Sequence, residues 1–248
     1  MAEEKSSVEL LKEYLDKSGT GEMEFWLFIL TCALVATKFV LLPKDNIIEK
    51  GSEIIMKGNF ATIIYFCILV SLAGYFNFVK YKKRCCENYP DTPCELESEK
   101  MYFIFMISFF PWVSIMGLCF AVLNLLPGWK APFSNTFGYF ITMFMLGGQR
   151  KFNKILILNT DTNIKNILES NFTNLINDYT PNNINELEHL AGNKRLGTET
   201  MADAHELYTE IAKLILLKDY ISESIWFILM GLFVINISNN YISVNACQ

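Results

Sequence analysis

Apolar residues in this chain are gathered into long blocks, not spread evenly along it. The clearest block is Met101 to Leu126, twenty-six residues without a charged side chain. At 1.5 Å per residue, a helix of about 20 apolar residues crosses a hydrocarbon core of about 30 Å. Two more blocks of similar character run from Phe25 to Leu42, stopped by Pro43, and from Asn59 to Val79. A fourth apolar element, Ala131 to Leu146, is about sixteen residues long and slightly short for a full crossing. A last run, Ile225 to Ile237, continues through Asn-rich residues to Ile242 and Val244. The pattern predicts an all-α polytopic membrane protein with four to five transmembrane helices and a small helical cytosolic segment.

Four regions follow from this pattern. Residues 1–22 hold an amphipathic helix, with Val8, Leu11, Tyr14 and Leu15 on one side and Glu9, Lys12, Glu13 and Asp16 opposite. Residues 23–148 form a membrane domain with spans near 25–42, 59–79, 101–126 and 131–146. Residues 149–224 are polar, with apolar stripes over Ile164–Ile176, Ile184–Leu190 and Met201–Lys218 that predict three short helices. Residues 225–248 form a C-terminal span and tail.

Polar residues inside the apolar blocks are few. Lys38 lies about one turn from the end of its span, where snorkelling to the headgroups is favoured over a functional buried charge. Pro111 removes a backbone donor and predicts a kink in the third span. Asn124, near the end of that span, has either a neighbouring helix or water to bond. Pro127-Gly-Trp-Lys-Ala-Pro-Phe-Ser-Asn135 predicts a tight corner containing Trp129 and Pro132, and Gly147-Gly148 ends the element that follows.

Charge sets the expected orientation. Lys80, Lys82, Lys83 and Arg84 follow the second span directly, as a cluster on the untranslocated side does. Arg150, Lys151 and Lys154 end the 131–146 element, and the two basic groups share a side only if that element crosses. About five crossings then place the N-terminus, the 80–100 loop and residues 149–224 in the cytosol. Lys44, Lys50 and Lys57 in the first translocated loop count against this orientation. The sequon Asn171-Phe-Thr would carry a glycan only if its segment were translocated.

Composition removes some classes. A net charge of −5 and the lack of a basic face argue against nucleic acid as a partner. The polar start, MAEEKSS, is unlike a signal peptide, so the first span reads as a retained anchor. Seven cysteines do not form a disulfide framework. Cys32, Cys67 and Cys119 sit within apolar runs as small hydrophobes. Cys85, Cys86 and Cys94 share a loop, and spacing alone favours a disulfide from Cys94 over a metal site, which needs a fourth ligand. No metal or other cofactor is expected.

No catalytic constellation is evident. His189 and His205 form no HExxH pair and read as surface residues, and no P-loop, GxGxxG or GxSxG occurs. Carriers need ionisable groups within the membrane, and the spans contain only Lys38 and Asn124, with no Asp or Glu well inside. A pore built from Thr31, Thr37, Thr62, Ser71, Ser108 and Ser114 is the minority reading, because such residues more often pack helices together.

The stretch Pro127-Gly-Trp-Lys-Ala-Pro-Phe-Ser-Asn-Thr-Phe-Gly-Tyr139 resembles a signature of multi-spanning membrane proteins of large nucleocytoplasmic DNA viruses, and the similarity covers about fifty residues, Tyr102 to Lys151. That resemblance implies a non-enzymatic virion protein of minor capsid type, tying an internal lipid membrane to the protein shell above it. It implies the bilayer and other capsid or membrane proteins as partners, with no small-molecule substrate. Residues expected to serve membrane seating and assembly are Lys80, Lys82, Lys83, Arg84, Pro111, Pro127, Trp129, Pro132 and Gly138. An oligomeric channel or transporter is the alternative.

Overall fold

The computed structural model describes residues 21–43, 50–87, 98–151, 153, 176–181, 183 and 198–245, and no strand occurs among them. Helix α1 spans Gly21–Val40 and α2 spans Gly51–Glu87. Helix α3, Ser98–Pro111, passes through a π turn, Trp112–Met116, into α4, Gly117–Leu125. A 3-10 turn, Pro127–Lys130, leads into the short α5, Ala131–Phe133, and two π segments, Ser134–Gly138 and Phe140–Met145. Helix α6 runs unbroken over 48 residues, Thr198–Asn245. The N-terminal amphipathic helix, the stripes at 164–175 and 184–190, and Cys94 lie outside the described residues.

Among the described residues, four stretches are long and apolar enough to cross a membrane: Glu22–Val40, Glu53–Lys83, Met101–Leu125 and Thr209–Ile242. Between 28% and 44% of each core window is buried within the protein, so most of each apolar surface faces outward. Phe25, Phe28, Phe60, Phe105 and Phe110 are all more than half exposed. A water-soluble protein rarely shows so large a contiguous apolar surface, whereas hydrocarbon accepts it. This is the build of an integral membrane protein.

Chain contacts define two compact units. The first comprises Met1–Ala33, Ile63–Val122 and Trp226–Gln248. Its centre is aromatic: the Tyr65 and Phe227 rings stack at 5.9 Å, and Phe66 meets Phe227 edge-on at 5.1 Å and Phe120 at 5.8 Å. The Tyr65 and Thr31 hydroxyls share a hydrogen bond at 2.6 Å, joining α2 to α1. Gly231 lets α1 approach α6, because a Cβ there would stand 2.7 Å from both methyls of Leu27, itself fully buried. Small residues serve membrane helices in this way, since close packing supplies the association that water cannot drive there.

Pro111 acts as its chemistry predicts. It lacks the N–H that would bond the Ile107 carbonyl one turn back, and the helix widens into the π turn directly after it. The Ile107 carbonyl instead accepts the Ser238 hydroxyl of α6 at 3.4 Å. In a membrane span a freed carbonyl needs such a donor from a neighbouring helix.

The second unit comprises Leu34–Thr62 and Leu123–Ile225. The corner expected over Pro127–Asn135 is narrower than its prolines imply. Only Leu126 leaves helical geometry, at φ −125° and ψ 70°, and Pro127 starts the 3-10 turn that continues into α5. Pro suits a helix start, where its missing N–H costs nothing. Pro132 is exposed, and its carbonyl accepts the Thr136 hydroxyl at 2.6 Å. Gly147 ends the element at φ +71°, a conformation that glycine adopts without strain.

The 131–146 element, divided into α5 and two π segments, is shorter than the four helices that are long and apolar enough to cross among the described residues. It runs antiparallel to α6, from the Lys130–Asp219 pair at 2.8 Å to the Lys151–Glu210 pair at 3.1 Å. That path passes nine residues of α6, about 14 Å along the axis. A full crossing needs roughly twice that rise. The expected break between a helix ending at Lys218 and a separate span from Ile225 is also absent, because α6 continues through Ser222, Glu223 and Ser224 without glycine or proline.

Were the chain to cross four times, the Lys80–Arg84 cluster and the sequon Asn171-Phe-Thr are expected on opposite faces of the bilayer; five crossings would put them on the same face. Inserted into microsomes with the Lys80–Arg84 cluster cytosolic, the full chain is therefore expected to be glycosylated at Asn171. The measurement is an endoglycosidase-sensitive gel shift that Asn171→Gln abolishes. An unshifted band would support a fifth crossing.

Candidate functional site

The densest chemistry lies in the second unit, where four chain segments meet and three of them bring charges together. Asp219 and Glu223 stand four residues apart on α6, which places both carboxylates on one helix face. Lys38, in the last turn of α1, donates to Glu223 Oε1 at 2.8 Å. Lys130, closing the 3-10 turn, donates to Asp219 Oδ2 at 2.8 Å and lies 3.7 Å from Glu223 Oε2. The Thr62 hydroxyl of α2, bonded to the Gly58 carbonyl at 3.0 Å, is 3.5 Å from Glu223 Oε1. The Lys38 ammonium also sits 5.3 Å from the centre of the Tyr220 ring, a cation–π distance. Ser222 donates to the Lys130 carbonyl and so holds the turn against α6.

Lys38 is 4% exposed and Glu223 5%. Lys38 therefore does not snorkel: its ammonium turns inward to a carboxylate. A buried charge is tolerated only when paired and hydrogen-bonded, and two cations face two anions here. Burial draws the Lys130 pKa down, but Asp219 and then Glu223 raise it by more, so it lies above the ordinary lysine value of 10.5. Its contribution to stability is complete below 10.5 and fades as pH rises through the higher folded-state value.

A cavity of about 60 Å³ adjoins the cluster, lined in part by Lys38, Gly58, Asn124, Lys130, Asp219 and Glu223. It has room for water and is far smaller than the roughly 300–1,000 Å³ of a pocket for an organic ligand. Next to it, Lys218 is 1% exposed and donates to the Ile176 carbonyl at 2.8 Å and to Asn177 Oδ1 at 3.4 Å.

The residues expected from sequence to serve assembly do not converge on this site. Lys80 donates to Asn239 Oδ1 at 2.7 Å and so contacts α6. Lys82 and Lys83 are exposed, and the Arg84 side chain lies outside the described residues. Pro127 lines the cavity, Trp129 is 56% exposed, and Gly138 lies against Lys218. The hydroxyls considered for a pore are mostly engaged within their own helices. Thr31, Thr62, Ser71, Ser108 and Ser114 each donate to the carbonyl four residues back. No group of three or more His, Cys, Asp or Glu suited to a metal occurs among the described residues. His189 and the side chains of Cys85, Cys86 and His205 lie outside them.

Sequence reasoning missed Asp219, Glu223 and Lys130 because it closed the polar segment at Ser224. The available signal was a carboxylate pair at four-residue spacing just before an apolar run, together with a lysine inside a span. No family model, curated protein or solved structure matches this chain.

Proposed function

We propose that this chain is a structural membrane protein without enzyme activity, which organises a lipid bilayer and joins it to an overlying protein layer. The layer we propose is a virion shell, with the bilayer as the internal membrane beneath it, a role of minor capsid type. The observation that carries the structural part is charge cancellation: two lysines are matched by two carboxylates, which suits a lock between helices better than a ligand site. The adjoining cavity is too small for an organic substrate. The exposed aromatic side chains of the signature stretch, Trp129 and Phe137, are 56% and 58% exposed and offer anchors to a partner.

Cross-linking of purified particles, followed by detergent fractionation, is expected to recover the chain bound to shell proteins. Its absence from particles would remove the virion role. A channel or transporter remains the second reading, favoured by a water-sized cavity beside ionisable groups, of which Asp219 and Glu223 lie inside the candidate span Thr209–Ile242 and Lys38 near the end of Glu22–Val40. Proteoliposomes of the full chain are expected to show no ion flux. Flux abolished by Glu223→Gln would establish the second reading over the first.

A further inference from the structure

The first unit contains a second concavity, different in character from the ionic site. It has a volume of about 650 Å³ and lies between α2 and α3. On α2, Phe66, Val70, Gly74 and Phe78 recur every four residues along its wall, and α3 contributes Phe105 and Phe109 among others. The polar atoms of the lining are already engaged. Ser71 donates to the Cys67 carbonyl at 2.8 Å and Ser108 to the Ile104 carbonyl at 2.8 Å, while Asn77 donates to Ser108 at 2.9 Å across the two helices. What this groove offers an occupant is hydrocarbon contact. At Gly74 no atom lies within 4 Å of where a Cβ would stand, so the protein does not fill the space itself.

Charge and the chemistry of the walls together select the occupant. Beyond the groove, Lys82 lies one turn past Phe78 on the same face of α2, and Lys83 is beside it; both are exposed. Apolar walls ending at paired cations complement a molecule with an apolar tail and an anionic head.

We propose that the α2–α3 groove binds an anionic phospholipid, with an acyl chain along Phe66–Phe78 and the headgroup at Lys82 and Lys83. The site rests on the chain being an integral membrane protein and is independent of which protein layer it contacts.

The test is native mass spectrometry of the full chain in detergent, with phosphatidylserine and phosphatidylcholine of equal chain length supplied together. Wild type is expected to retain phosphatidylserine preferentially, by up to about fivefold for each lysine. Lys82→Gln/Lys83→Gln, at exposed positions, is expected to bind both lipids equally. Gly74→Phe, which places a ring in the groove, is expected to bind neither while eluting as wild type does. Undiminished lipid retention by Gly74→Phe would overturn the site, and an unchanged preference in the double glutamine variant would overturn the headgroup assignment. A wild-type dimer that Gly74→Phe converts to monomer, with lipid binding unchanged, would assign the groove to a second copy of the chain.

Discussion

Replacing Lys38 by methionine is expected to destabilise the folded chain by about 3–5 kcal/mol, the usual cost of orphaning a buried charge. Glu223 would lose its partner at 2.8 Å and keep only Lys130 at 3.7 Å and the Thr62 hydroxyl at 3.5 Å. The informative variant is the pair, Lys38→Met/Glu223→Met. Removing both charges also removes the desolvation penalty, and methionine fills much of the vacated volume. Lys130 then retains Asp219 at 2.8 Å. The double variant is expected to recover most of the stability lost by either single change, a coupling of about 2 kcal/mol or more. Denaturation of detergent-solubilised protein measures it. If the two losses simply add, Lys38 and Glu223 do not form a pair and the lock is misassigned.

Gly138→Ala is expected to cost about 2–3 kcal/mol through overpacking. Its Cβ would stand 2.7 Å from the Lys218 carbonyl oxygen and 2.9 Å from the Lys218 Cγ, and the backbone oxygen cannot rotate away. Gly117→Ala is the control, because no atom lies within 4 Å of its Cβ position. That change is expected to be neutral or to stabilise by up to about 1 kcal/mol through helix propensity. Pro132→Ala, at an exposed position, is expected to stay within about 0.5 kcal/mol. Equal losses at Gly138 and Gly117 would contradict the tight seating of the π segment on α6. From sequence, Pro132 and Gly138 looked alike as signature residues. Their surroundings in three dimensions separate them.

The apolar runs at Phe25–Leu42, Asn59–Val79 and Met101–Leu126 reappear as helices with shifted ends, because a block of that length has no other way to satisfy its backbone in lipid. The disturbance at Pro111 was legible for a similarly local reason: a missing N–H is a property of one residue. The ionic site was not legible. Its charges come from residues 38, 130, 219 and 223, and one-dimensional spacing relates only the last two. Reading Lys38 as a snorkelling residue was reasonable for a lone lysine near a helix end. It failed because a carboxylate 185 residues away reaches it.

The order of apolar and polar residues alone determined that this chain is helical and belongs in a bilayer, because hydrophobic length is a local, additive quantity. Tertiary structure decided which charges neutralise one another, that the 131–146 element lies along α6, and that Glu223 sits inside a continuous helix. Those outcomes depend on distances between segments far apart in the chain, and pairing a buried charge is a property of the assembled helices, not of any one of them.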